Sequence, residues 1–127
     1  MDIKFNGQKE TFATGGQREV KANKGRFDLL PFEPLQRVAQ LYERGAALYG
    51  ARNWQKGIPL SSFLSSAARH LSQLTNGYSD EDHAAAVIWN MLGYMWTREG
   101  IERGELPAEL AQDALGVVVP YAMMEKS

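Results

Sequence analysis

Two histidines are the only imidazoles in this chain of 127 residues, and cysteine is absent. His83 follows Asp80 by three positions, a spacing that places an acid and an imidazole on one side of a helix. Helical bundles build metal sites from a carboxylate and a histidine at that interval, usually with Glu rather than Asp. Asn90, two turns further on, extends the polar stripe along a segment otherwise rich in Ala and Trp. His70 sits in an apolar stripe with Arg69 before it. Glu43 flanks another stripe, beside Arg44, where it can face Asp80 or Asp82 as a metal carboxylate. The same residues also read as capping acids, a surface imidazole and a surface ion pair of small energetic weight.

A second cluster is the run Arg52-Asn53-Trp54. A guanidinium binds phosphate bidentately, an amide reads a base or ribose edge, and an indole stacks on a base. The plainer reading is a connecting loop whose Trp54 plugs the core. Arg18, Lys21, Lys24 and Arg26 can neutralise phosphates or form a solvated basic arm. Several chemistries are excluded. Thr14-Gly15-Gly16-Gln17 lacks the Gly-Lys-Ser/Thr ending of a phosphate-binding loop, and no Gly-x-Ser-x-Gly elbow occurs. With so few His and no Cys, zinc is set aside, which leaves Mg²⁺ or Mn²⁺ on carboxylates as the expected metal chemistry.

These residues need a scaffold. An apolar fraction of 44% and a charged fraction of 23% are ordinary globular values. At this size about two-thirds of the surface can be buried, enough for one core and one domain spanning residues 1–127. A net charge of −1 weighs against direct nucleic-acid binding. The absence of Cys, of an apolar run of membrane length and of a signal-peptide pattern leads us to expect a cytoplasmic protein with no membrane partner.

The expected fold class is all-α: a small bundle of about four helices over residues 33–127, preceded by an irregular Gly/Lys/Arg-rich arm over 1–32. The arm has turn chemistry at Thr14-Gly15-Gly16 and Asn23-Lys24-Gly25, with room for one short strand. A helix from Pro34 to Gly50 is predicted by Leu35, Val38, Leu41, Tyr42, Gly45, Leu48 and Tyr49. The second starts at a Ser61 or Ser62 cap, carries Phe63, Leu64, Ala67, His70, Leu71 and Leu74, and stops at Asn76-Gly77. The third has Ser79 as N-cap with Asp82 at N3 and stops at Gly100. A shorter fourth begins at Pro107 and carries Leu110, Ala111, Ala114 and Leu115, followed by the apolar tail Val117-Val118-Val119-Pro120-Tyr121. Trp54, Trp89, Trp96, Met91 and Met95 are more large apolar surface than one thin layer hides, which points to an oligomer.

The ordered motifs Thr14-Gly15, Lys24-Gly25-Arg26-Phe27-Asp28-Leu29-Leu30-Pro31, Tyr42-Glu43-Arg44-Gly45-Ala46, Tyr49-Gly50-Ala51-Arg52-Asn53-Trp54 and Gly57 resemble a known family. The likeness continues through Ala68-Arg69-His70-Leu71, Gly77, the acids at 80–82, His83 and Trp89-Asn90, covering about residues 12–97. The family is the N-terminal domain of bacteriophage dATP/dGTP diphosphohydrolases. The resemblance implies a MazG-type all-α nucleotide pyrophosphohydrolase. Such an enzyme uses Mg²⁺ or Mn²⁺ to cleave a purine (deoxy)nucleoside triphosphate to monophosphate and pyrophosphate, usually as a homodimer or homotetramer. Carried over by position, Glu43, Asp80 and Asp82 become metal carboxylates, and His83, His70 and Glu43 the catalytic set. Arg26, Lys24, Arg52, Asn53, Trp54, Lys56, Arg69 and Asn90 become the nucleotide-binding residues. The sequence departs from the MazG pattern in lacking Glu-x-x-Glu on the first helix, where only Glu43 stands. Its one literal pair at that spacing, Glu99 and Glu102, straddles Gly100, where the helix is expected to have ended. Three functions therefore compete: a hydrolase, a non-catalytic nucleotide binder on the same scaffold, and a structural protein whose histidines and Trp54 are core.

Overall fold

The computed structural model describes residues 9–19 and 23–112. The chain falls into two compact units, Met1–Pro31 and Phe32–Ser127. The first holds an antiparallel hairpin, β1 (Lys9–Thr11) and β2 (Gln17–Glu19), where the arm was expected to be irregular with at most one strand. Its register sets Lys9 opposite Glu19 and Glu10 opposite Arg18, two opposite-charge pairs that favour the ladder. The turn at Thr14-Gly15-Gly16 is as expected, with Gly15 at φ +87°. A 3₁₀ turn follows at Phe27–Leu29.

The second unit contains three α-helices rather than four: α1 (Phe32–Tyr49), α2 (Leu60–Thr75) and α3 (His83–Glu102). The expected fourth helix is a 3₁₀ turn at Ala108–Ala111. Ala114, Leu115 and the tail Val117–Tyr121 lie outside the described residues. Pro34 falls in the first turn of α1, where its missing N–H costs no helical bond. α2 begins one residue before the expected serines, with Pro59 at its N-cap and no side-chain cap, because Leu60 is already fully enclosed. At α3 the cap is Asp82, whose Oδ1 accepts from the Ala85 N–H, and not Ser79. That shift makes His83 the first residue of the helix.

Both α2 and α3 end in the same way. The Gly77 N–H donates to Leu74 O and the Tyr78 N–H to Gln73 O; Gly104 and Glu105 repeat the pattern on Ile101 and Gly100. α3 therefore runs past Gly100, which is buried under Leu106 instead of ending the helix. Glu99 and Glu102 are thus both helical, but they pair with Arg103 and Arg98. At 1.5 Å per residue they lie about 24 Å and about 28 Å along the axis from His83.

α3 is the central helix, packed most extensively on α2 and also on α1. Val38, Leu60, Phe63 and Ala67 are its buried apolar neighbours, Ala85 is its own buried apolar residue, and His70, His83, Asn90 and Thr97 are buried with them. Phe63 lies so close to Gly93 that a Cβ there would stand 2.7 Å from the ring's Cζ. Of the predicted stripes, Leu35, Leu48, Tyr49, Leu71 and Leu74 stay exposed, Tyr49 by 67%. Among the described residues, no helix is long and apolar enough to cross a membrane.

Candidate functional site

The return from α2 to α3 brings their adjoining ends together. His70 lies one turn from the end of α2 and His83 opens α3, and both are buried, at 6% and 1% exposure. Their Nδ1 atoms are 2.9 Å apart. On its other side His83 Nε2 is 2.9 Å from Asp80 Oδ1. An ionised carboxylate only accepts, so His83 Nε2 carries the proton and donates it to Asp80. His83 Nδ1 is then a lone pair directed at His70. The Asp80–His83 relation read from spacing is present, and His70, thirteen positions away, completes it.

Electrostatics favours uncharged imidazole at His70. Burial lowers its pKa below the ordinary 6.5, with the Arg69 charge adding to the effect and Glu81 and Asp80 opposing it. Asp80 is held below the usual carboxylate range mainly by the His83 hydrogen bond. A carboxylate oxygen of Glu81 and one ring nitrogen of each histidine all lie within 4.8 Å of one another, a group able to hold a metal ion. Glu81 is the member that sequence reasoning missed. It sits in the non-helical link between Asp80 and Asp82, where no periodicity separates one acid from the next.

The other carboxylates are placed differently. Asp82 caps α3 through Oδ1 and accepts from Arg37 Nε through Oδ2 at 2.8 Å. Burial pushes its carboxyl up, but the Ala85 N–H and the Arg37 guanidinium outweigh that and hold it low. Glu43 is exposed on α1 and is not among the residues that line the neighbouring cavities, although Tyr42 and Arg44 on either side of it are. Lys56 and Arg69 are exposed and also outside those linings, with Arg69 reaching Ser66 Oγ. Arg26 and Lys24 belong to the first unit, where Arg26 clasps Asp28 and Lys24 pairs with Glu19.

Two cavities run along α1. One, of about 200 Å³, is lined by Tyr42, Ala46, Arg52, Asn53, Trp54 and Ile58. Its wall is a chain of rings: Trp96 on Trp54 at 5.0 Å, Trp54 on Tyr42 at 5.9 Å, Tyr42 on Trp89 at 5.7 Å. Trp54 is half-buried, packed in this chain of rings, and lines the cavity. Arg52 holds a left-handed backbone, φ 58° and ψ 31°, unusual for a residue with a side chain. Strain of this kind persists where the surroundings enforce it, and it collects at ligand sites. The second cavity, of about 360 Å³, is lined by Arg44, Ser66, His70, Glu81, Ala86 and Asn90. Asn90 spends one amide proton on Ala86 O. Arg44 also escaped the sequence reading, although it falls at helical spacing between Leu41 and Leu48 and so inside the apolar stripe. Gly45, Tyr49 and Trp89 line both cavities, so the two adjoin along α1 and are termed together a cleft of two compartments.

No curated protein and no solved structure matches this chain. The sequence model of one family, described as "dATP/dGTP diphosphohydrolase, N-terminal", matches residues 14–103. That span takes in the hairpin's second strand, all three helices, both histidines, Glu81 and the Arg52-Asn53-Trp54 loop. The chain belongs to the dATP/dGTP diphosphohydrolase N-terminal domain family.

Proposed function

We propose that the protein is a metal-dependent nucleotide diphosphohydrolase that converts dGTP or dATP to the monophosphate and pyrophosphate. The observation that carries this reading is the two-compartment cleft. Its smaller compartment is below the ~300–1,000 Å³ of a whole-ligand pocket, so it suits one flat heterocycle. Tyr42 and Trp54 offer that ring their edges and faces, while Asn53 offers amide hydrogen bonds. The triphosphate extends past Gly45 and Tyr49 toward Arg44, whose guanidinium neutralises phosphate charge. His70, His83 and Glu81 stand where the reacting phosphoryl group arrives. These three residues would hold an ion whose charge would stabilise the phosphoryl oxygens and lower the pKa of the attacking water. Asp80 fixes the proton on His83 Nε2 and so presents its other nitrogen toward the reaction. The exposed Leu48 and Tyr49 beside the cleft support a homo-oligomer, as does the row Ile88, Leu92 and Met95 on α3.

Purified protein incubated with Mn²⁺ and each common NTP and dNTP tests the reading. Monophosphate plus pyrophosphate from a purine triphosphate is the expected result, and intact nucleotides throughout would overturn it. Saturable binding without cleavage would identify a non-catalytic nucleotide binder instead. Light scattering on the same sample reads the oligomeric state.

A further inference from the structure

We infer that the His70–His83–Glu81 cluster is a site for a first-row transition ion in the range Mn²⁺ to Zn²⁺, and that it discriminates against Mg²⁺. The inference deepens the hydrolase reading and rests on it for the ion's use, but not for its binding. Mg²⁺ demands oxygen ligands and gives up water reluctantly. Imidazole nitrogen suits Fe, Ni, Cu and Zn, and two imidazoles with one carboxylate are a full protein ligand set for a catalytic zinc, water taking the fourth place. The scarcity of His and the absence of Cys had set zinc aside, but a catalytic site needs only three protein ligands, one of which can be a carboxylate.

Three observations converge on this assignment. The two Nδ1 atoms are 2.9 Å apart. Nitrogens about 2.1 Å from a shared ion and at the tetrahedral angle are separated by roughly 3.4 Å, so the two rings need part by only about half an ångström to turn to one ion. Asp80 supplies what ligating histidines characteristically have, a carboxylate on the other ring nitrogen that fixes the tautomer. A Glu81 carboxylate oxygen lies within 4.8 Å of a ring nitrogen of each histidine, which completes a three-ligand group. In the metal-free protein a single proton joins the two Nδ1 atoms. Ion binding displaces it to His70 Nε2, leaving two lone pairs and the Glu81 carboxylate around the ion.

The test is titration of the full-length, chelator-stripped protein with Co²⁺, read by its visible d–d bands. The expected result is one Co²⁺ per chain, displaced by Zn²⁺ but not by millimolar Mg²⁺. Glu81→Gln, at an exposed position that leaves the fold alone, should weaken Co²⁺ at least tenfold. Asp80→Asn should weaken it by roughly 10–100-fold, the usual effect of removing a ligand's carboxylate partner. Unchanged affinity in both variants, displacement by Mg²⁺ at Zn²⁺-like concentrations, or no Co²⁺ spectrum would each overturn the inference. Co²⁺ binding as expected with every nucleotide left intact would instead defeat the hydrolase reading while the metal site stands. Nucleotide cleavage with Mg²⁺ alone, unaffected by Glu81→Gln, would do the reverse.

Discussion

The aromatic compartment of the cleft and its imidazole compartment are held together by different forces. Trp54 meets Tyr42 and Trp96 edge to face and Tyr42 meets Trp89 at a tilt, across loop, α1 and α3, and several ring orientations satisfy such contacts almost equally. The imidazole end is a chain of directed hydrogen bonds, Asp80 to His83 to His70, in which each proton has one place. The first arrangement tolerates ligands of varied shape. The second fixes an atom's position. A protein that must accept a purine loosely and hold one reacting group closely needs both.

Substitutions should separate the two ends. The largest effect is expected from His83→Ala, which empties a buried site and strips His70 and Asp80 of their partner. Unfolding in urea should show a loss of about 3 kcal/mol, from the cavity and the unpaired imidazole together. Trp54→Ala should cost less, about 2 kcal/mol, because Trp54 is only half-buried. It should raise KM for the triphosphate more than it lowers kcat, and an equal fall in both would mean that the ring positions the reaction as well. Arg52→Gly should divide stability from function. Gly accepts the left-handed backbone freely, so the melting temperature should hold or rise by the equivalent of about 0.5 kcal/mol, while nucleotide affinity falls.

A pH series on metal-free protein sharpens the imidazole side. His70 is depressed when folded, so the unfolded chain binds its proton more readily. Stability should be fully present above the ordinary 6.5 and decline as pH falls below it. A flat profile from pH 7 to 5 would show that the imidazole pair accepts a charge without penalty. Glu43→Gln should do least, within about 0.5 kcal/mol in stability and with unchanged Co²⁺ binding. A collapse of turnover there would extend the site to the outer face of α1.

Much of this was legible beforehand because it is local. Helical periods marked α1 and α2, the capping acids marked the start of α3, and the Asp80-x-x-His83 interval marked one hydrogen bond of the cluster. The hairpin was missed because strands of three residues are too short to show a period. Gly100 was misread because a glycine serves a helix end and a close contact equally well, and only Leu106 decides between them. His70 could be singled out but not paired, since its partner arrives through the α2–α3 return. Glu81 carried no signal beyond its neighbours', and the place of Arg44 inside an apolar stripe gained meaning only when both were seen to line one cavity.

The contact of Phe63 with Gly93 has a bearing on the chemistry two turns away. α2 and α3 run antiparallel, so the ring resting on bare backbone sets their spacing, and that spacing is inherited by His70 and His83. It works as a gauge block does between two rails. A methyl group at position 93 would wedge the rails apart and open a gap at the far end, leaving every ligand in place and none within reach of the others. Loss of function by such a route would look, in a mutational survey, like a defect of the core.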